Sequence, residues 1–187
     1  MIPVKQLVTS MRYSLKDMRG VNYSNFELIE AINNAAWILY SRMAEQFVSA
    51  GLKKNILVVD ESGSIALPTD FIKIHQVGMA DEGRAVPVSY TARNDGEYRI
   101  IGDTFYALEG VYSLEYYYVP ARVSSLSDFI DITAAVSPYI EKIALGMLGN
   151  DLGGAENVVR ACVQSLAGRD ISHFEDIGPV QIFGGKL

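Results

Sequence analysis

The hydrophobic period of this chain changes twice, and those two changes constrain its fold more than any single motif does. Up to Gly51 apolar residues recur at three- and four-residue spacings, from Leu52 to Val123 they alternate, and after Ser137 the helical spacing returns. A sequence patterned for one period does not settle in the other, so the chain divides into helix, strand and helix blocks. The predicted class is α+β. It comprises an N-terminal helical hairpin with one long helix, an antiparallel β-meander or sandwich in the middle, and a C-terminal helix pair followed by an extended tail. At 187 residues the expectation is a single domain over 1–168, with helical (3–51), β-rich (52–123) and helical (137–168) parts, and a tail over 169–187.

In the first block Val4, Leu7, Val8, Met11, Leu15 and Met18 make one apolar stripe over residues 3–18, ended by Gly20. Ser24 and Glu27 then form a capping box, with Tyr23 and Leu28 placed to close a hydrophobic staple across it. The next helix carries Ile29, Ile32, Ala36, Leu39, Met43 and Phe47 on one face and stops near Gly51, about 26 residues or ~39 Å. Helices average ~11–12 residues, so part of this one is left to project or to meet another chain.

In the strand block Lys53–Asp60 and Ser64–Leu67 flank the turn Glu61-Ser62-Gly63 as a hairpin. Lys73–Met79 follows, then a turn at Asp81-Glu82-Gly83 and a strand over Val86–Thr91 that Pro87 restricts to an edge or a strand start. Glu97–Ile101, Thr104–Leu108 and Val111–Val119, joined by Gly102-Asp103 and Glu109-Gly110, continue the meander; in the last of them Tyr112, Leu114, Tyr116 and Tyr118 share one face, Ser113, Glu115 and Tyr117 the other. The stretch Ile65–Ile74, IALPTDFIKI, is a corner. Pro68 stops the strand, Thr69 and Asp70 bond nearby backbone amides, and Phe71 turns its ring toward the core.

In the last block Ser137 is read as the cap of a helix with Pro138 in its first turn and Ile140, Ile143, Ala144 and Met147 inward. The loop Asn150–Gly154 leads to a second helix bearing Val159, Cys162, Val163 and Leu166, closed by Gly168. Beyond Arg169 the period is lost, yet Phe174, Ile177, Val180, Ile182 and Phe183 are apolar. These five are the candidate partner-binding residues, expected to dock on another surface, with strand addition as one mode.

Little in the chain points to chemistry. Its net charge is −6, from 16 basic and 22 acidic residues, and the basic ones are scattered, so tight gripping of phosphate backbones is disfavoured. The one cysteine cannot form an internal disulfide, and its place on an apolar stripe reads as a buried, inert thiol. His75 and His173 have no ligand-spaced neighbours, and the glycines of GMLGNDLGG follow a helix rather than a strand, which fails the phosphate-loop context. Asp70 and the pairs Asp60/Glu61, Asp81/Glu82 and Asp128/Asp131 are read as turn and loop charge. No leader pattern and no apolar run of the ~20 residues a membrane span needs is present, so a soluble, unprocessed chain is expected. Catalytic residues, metal and cofactor are all expected to be none.

The order of the pieces LVTSMRYSLKD, NYSNFELIEAINNAAWIL, IALPTDFIKI, YSLEYYYVPARV and SPYIEKIALGMLGND, over residues 4–168, resembles the head-to-tail adaptor (connector) proteins of tailed bacteriophages, including the tail tubular type of short-tailed phages. That resemblance implies a non-enzymatic virion protein. Its subunits assemble as a ring, usually twelvefold, beneath the portal protein, meet the next tail component and extend the DNA exit channel. It implies assembly in the host cytoplasm and residence at the head–tail junction. Two other classes compete: a carbohydrate- or peptide-binding module on the tyrosine strand, which requires an exposed aromatic patch, and a hydrolase, which requires Asp70, His75 and another acid to converge.

Overall fold

The computed structural model describes residues 1–80 and 97–174, with side chains in the last helix up to Ala167. It is an α+β fold. A two-residue strand β1 (Ile2–Pro3) leads into α1 (Val4–Ser14) and α2 (Asn25–Glu45). Six strands follow: β2 (Leu52–Val59), β3 (Ser64–Ala66), β4 (Phe71–Met79), β5 (Tyr98–Ile101), β6 (Thr104–Ala107) and β7 (Gly110–Tyr118). A short β8 (Phe129–Ile130) precedes α3 (Ser137–Leu148) and α4 (Leu152–Phe174). The expected turn at Asp81–Gly83 and strand at Val86–Thr91 lie outside the described residues.

The helices begin and end for identifiable reasons. At α2 the capping box forms in full: the Ser24 hydroxyl accepts the Glu27 N–H at 3.2 Å, and Glu27 Oε2 accepts the Ser24 N–H at 2.8 Å. Those Ser24 donors hold the Glu27 carboxyl below its ordinary range. Three helices close with a left-handed residue that is not glycine: Lys16 at φ 55°, Phe47 at φ 57° and Asn150 at φ 58°. Each is followed by an N–H that reaches back into the last turn, Asp17 to Arg12, Val48 to Met43 and Asp151 to Gly146, which is the Schellman bond. This explains why α2 has 21 residues and not about 26, since Phe47 turns the chain before the 3-10 turn at Ser49–Gly51. Phe47 is correspondingly exposed, although the apolar stripe placed it inward.

The first helix is also shorter than expected, because the chain turns at Lys16. Met18 is exposed, and the buried residue of this connection is Asp17. Its carboxylate accepts the N–H groups of Val21, Asn22 and Tyr23 and bonds Arg12 at 3.2 Å. Burial pushes its pKa up, but those amides and the guanidinium outweigh burial and hold it below the ordinary value.

The strands do not run as a simple meander. They form two three-stranded antiparallel sheets, ordered β2-β7-β4 and β3-β6-β5, plus the β1–β8 pair. The turn at Asp60–Gly63 forms, yet β2 and β3 do not pair; β2 aligns with β7 from Leu52↔Tyr117 to Val59↔Gly110, and β3 aligns with β6. Among the described residues only the β5–β6 hairpin, with Gly102 at φ 57° in its two-residue turn, pairs in the expected way. β7, the last strand of the block in sequence, is the central strand of its sheet. Both its faces are filled, and Tyr112, Tyr116, Tyr117 and Tyr118 are all buried.

α2 packs on the inner side of that sheet and α3 packs against α2, in a core that includes Leu28, Ile32, Leu39, Tyr40, Leu114, Tyr116 and Ile140. Each such aliphatic side chain, fully buried, contributes ~1.5–3 kcal/mol. α3 starts differently from expectation: Val136 is the cap residue, and the Ser137 N–H already bonds Thr133 O at 3.1 Å. α4 starts at Leu152, earlier than the expected loop allowed, with Asp151 Oδ1 capping the Gly154 N–H at 2.9 Å. It runs on to Phe174, so the segment 169–174, expected as extended tail, is helix, and the boundary at residue 168 falls inside an element.

Candidate functional site

The corner at Ile65–Ile74 is where the structure brings most charged side chains together. Pro68 O accepts the Phe71 N–H at 3.0 Å, which closes the turn and sends the chain from β3 into β4. Asp70 does not bond the turn amides. It points at the start of β2 and at β7, where its Oδ2 lies 2.8 Å from Lys53 Nζ and its Oδ1 accepts the Tyr116 hydroxyl at 2.9 Å. Lys53 also reaches Asp131 Oδ2 at 3.1 Å and lies 4.9 Å from the centre of the Tyr118 ring, whose hydroxyl donates to Asp131 O. One ammonium thus ties together the corner, the first strand of the sheet and the segment before α3.

The electrostatics follow from this packing. The Asp70 bond, supported by Asp131 and opposed by partial burial, holds the Lys53 ammonium well above the ordinary lysine range. Burial, and then the bond to Asp70, pushes the Tyr116 hydroxyl up as well. Both shifts favour the protonation states that already fit the bonds. The cluster therefore fixes a joint between layers and leaves Asp70 engaged on both oxygens.

Two open clefts flank the corner and share Asp70, Ala121 and Arg122. One, of about 480 Å³, is lined by Trp37, Thr69, Ile72 and Pro120; the other, of about 410 Å³, by Met1, Asp128 and Phe129. Trp37 is 58% exposed and Ile72 and Phe129 are exposed with it. Arg122 is held to α2 by Glu30 and Asn34, and the neighbouring Val123 is bonded to Asn33 through both its peptide groups. Phe26 and Trp37, both exposed, stand eleven positions apart and so lie on one stripe of α2, with Glu30 between them.

The other candidate residues are dispersed. His75 sits at a bulge of β4 and meets Tyr117 edge-on at 5.8 Å, whereas Asp70 bonds Tyr116, which faces the opposite side of β7. Asp70 and His75 are therefore not brought together. Asp60 caps Ser62, and Asp128 accepts the N–H groups of Ser124 and Ser125, so neither member of these pairs is matched with its sequence neighbour. Cys162 is buried, and burial pushes its thiol up to about 11. The tyrosines of β7 are enclosed and offer no stacking platform. Among the described residues no group of three or more His, Cys, Asp or Glu side chains gathers, and no helix is long and apolar enough to cross a membrane.

Sequence reasoning missed Asp17, Asn33 and Lys53 altogether. Polar residues in otherwise apolar stretches were the available signal: Asn33 interrupts the apolar face of α2, and Lys53 opens a strand that otherwise alternates. Of the five tail residues, Phe174 is the last residue of α4, and Ile177, Val180, Ile182 and Phe183 lie outside the described residues. No protein-family model matches the chain, and neither does any curated protein.

Proposed function

We propose that this chain is a structural assembly subunit, and specifically a head-to-tail adaptor of a tailed bacteriophage that joins a ring under the portal and extends the DNA exit channel. The observation that carries the proposal is the exposure of large apolar side chains on two separate surfaces. One is the outer stripe of α2 with its adjoining cleft, bearing Phe26, Trp37 and Ile72; the other is the face of β2 turned away from the core, bearing Ile56 and Val58. A ring subunit meets two neighbours through two different surfaces, and each must be complementary to the other and not to itself. Exposed aromatics rimmed by charge, as Trp37 is by Arg122 and Glu30, are the usual anchors of such contacts.

The ordered likeness of the sequence to that family supports the finer part of the proposal, and the acidic charge suits a conduit that must let DNA pass. The engagement of Asp70, Asp60 and Asp128 in backbone and lysine bonds supports a structural role over acid–base work. Co-sedimentation with the portal protein encoded by the same genome, imaged by electron microscopy, is the test. Rings, or a rim of added density under the portal, are the expected result; a chain that stays monomeric and binds no portal at any soluble concentration overturns the proposal.

A further inference from the structure

We infer that the open edge of β2 pairs antiparallel with β2 of a second copy of this chain, with Leu57 of the two copies facing each other across a twofold axis. β2 is an outer strand of the β2-β7-β4 sheet, and none of the described strands pairs with its other side. The neighbouring strand fixes where its peptide groups point. Val111 O accepts the Ala80 N–H and the Val119 N–H donates to Asp70 O, both at 2.9 Å, so the odd-numbered residues of β7 bond β4 and the even-numbered ones bond β2. Those even-numbered residues lie opposite odd-numbered residues of β2, as in Leu57↔Tyr112 and Asn55↔Leu114. The N–H and C=O groups of Lys54, Ile56 and Val58 are therefore left on the open side. The Ile56 N–H is met there by Asn55 Oδ1 at 2.9 Å, a local acceptor that a paired strand would displace.

The side chains along the edge select the partner. Lys54, Ile56, Val58 and Asp60 are exposed on one face, Ile56 by 49% and Val58 by 62%, while Leu57 and Val59 are buried on the other. A charged residue at a sheet edge ordinarily discourages pairing. Here the order is cation, aliphatic, aliphatic, anion, which is its own complement when the strand is reversed. With Leu57 on the axis, Lys54 faces Asp60 of the second copy and Ile56 faces its Val58, and the same two matches recur on the other side of the axis. Lys54 lies 3.8 Å from Glu115 on its own β7 with 63% of its side chain exposed, so its ammonium is open to a second carboxylate. Asp60 is also exposed, with Oδ1 accepting the Ser62 N–H.

The same register suits the backbone. Even-numbered residues face even-numbered residues, so Ile56 and Val58 of the two copies exchange N–H···O bonds in both directions, and the buried faces of the two sheets continue on one side. Moving the axis to Ile56 sets Lys54 opposite Val58 and loses both charge pairs. A twofold contact closes on itself. Ile56 and Val58 also belong to one of the two surfaces proposed for ring contacts, so a paired chain cannot offer them to a ring neighbour. Pairing thus holds the free chain in a form that separates before assembly, and the inference stands if the adaptor reading fails. One short strand makes a contact at the small end of interface sizes, so the dimer is a reversible one.

Analytical ultracentrifugation of the full chain, with amide hydrogen exchange over the same concentration range, is the test. A monomer–dimer equilibrium is expected; where the dimer dominates, exchange at Ile56 and Val58 slows by roughly tenfold or more while the β7 amides are unchanged. Lys54→Glu and Asp60→Lys should each stay monomeric and still fold, as read by melting, because like charges then face each other. Mixed in equal amounts these two variants should pair, because each supplies the charge that the other lacks. A chain that is monomeric at every soluble concentration overturns the inference, as does a dimer in which exchange along β2 is unchanged. Protection of Ile56 and Val58 that is independent of concentration also overturns it, by assigning the edge to a segment of the same chain. Two folded variants that pair no better mixed than alone overturn the register.

Discussion

The Asn33 carboxamide grips the Val123 peptide unit from both sides: its Nδ2 donates to Val123 O at 2.9 Å, and the Val123 N–H donates to its Oδ1 at 2.9 Å. The amide of a buried helix residue thereby acts as a short strand for an irregular segment 90 residues away. Neither peptide group of Val123 has another partner in reach of water, since both residues are buried.

Replacing Asn33 by Leu removes both bonds and leaves a buried donor and acceptor unmet, at ~1–3 kcal/mol each. A loss of about 3 kcal/mol in urea unfolding is expected. Asn33→Asp keeps the acceptor for the Val123 N–H but sets a carboxylate against the Val123 carbonyl. Its pKa is raised by that contact, so its stability deficit should be present at pH 7 and shrink as the group protonates in acid, whereas the Leu variant gains nothing on acidification.

Alkaline pH should weaken the fold through its buried neutral acids. The Cys162 thiol is raised from 9.0 to about 11 by burial, and the Tyr40, Tyr98, Tyr116 and Tyr118 hydroxyls are raised from 10.0 by the same cause first. A raised folded pKa means that the stabilisation is intact below the unfolded pKa and is lost as pH climbs through the folded one. Melting temperature should therefore hold to about pH 9 and fall above it. Cys162→Ala should flatten the part of this limb between pH 9 and about 11, removing up to ~3 kcal/mol of pH dependence.

The acidic limb has the opposite sign. Asp17, Glu27, Asp60 and Asp128 are all lowered, so their stabilisation is present above the ordinary carboxyl range and lost as pH falls below it. Asp17→Asn should lower the melting temperature at neutral pH, because the Val21, Asn22 and Tyr23 amides lose a charged acceptor, and should make the acid limb shallower. Ser24→Ala, which removes the hydroxyl that accepts the Glu27 N–H and donates to Glu27 Oε2, should cost ~1 kcal/mol at neutral pH and less in acid, where the Glu27 carboxylate is protonated. An acid limb identical in the Asp17→Asn variant would show that the carboxylate contributes nothing through its charge.

The layers of this fold were legible wherever one face of an element is buried. The α2 cap, the inward residues of α3 and the two-faced tyrosine strand follow from spacing alone, because each is set by contacts within a few residues. Pairing order was not legible. Whether β2 joins β3 or β7 depends on which edge the core covers, and alternation is the same in both cases. Helix ends failed for a related reason: the left-handed residue was sought at glycine, and Lys16, Phe47 and Asn150 take it under tertiary constraint. The Lys53 joint was invisible because its partners, Asp70 and Asp131, are distant in sequence and unremarkable singly.

Phe47 tests how much that constraint costs. A bulky residue at φ 57° gives up ~1 kcal/mol or more relative to glycine, while its ring recovers about 0.5–1 kcal/mol from the Lys73 ammonium and the Tyr117 edge. Phe47→Gly should accordingly be close to neutral in urea unfolding. Phe47→Ala keeps the backbone strain and loses the ring, so it should be less stable than either, by about 1 kcal/mol. If Phe47→Gly is clearly destabilising, the ring is held by more than these two contacts.

Trp37 separates a role in folding from a role in assembly. Its side chain is 58% exposed, and exposed substitutions away from caps and ion pairs change stability by no more than ~0.5 kcal/mol. Trp37→Glu should therefore fold and melt like the parent chain. In a subunit contact, however, an aromatic anchor is worth ~2 kcal/mol or more, about thirtyfold in affinity, and a carboxylate in its place adds repulsion toward Glu30 and Asp70 at the same cleft. Ring formation or portal binding should fall by at least that factor, read by sedimentation at matched concentration. A Trp37→Phe variant should retain more of the binding than Trp37→Glu, because it keeps an aromatic ring at the contact. Undiminished assembly in Trp37→Glu would move the subunit contact off this cleft and onto other exposed apolar groups, such as Ile56 and Val58 on β2 or Tyr13, Met18 and Val21 at the α1–α2 connection.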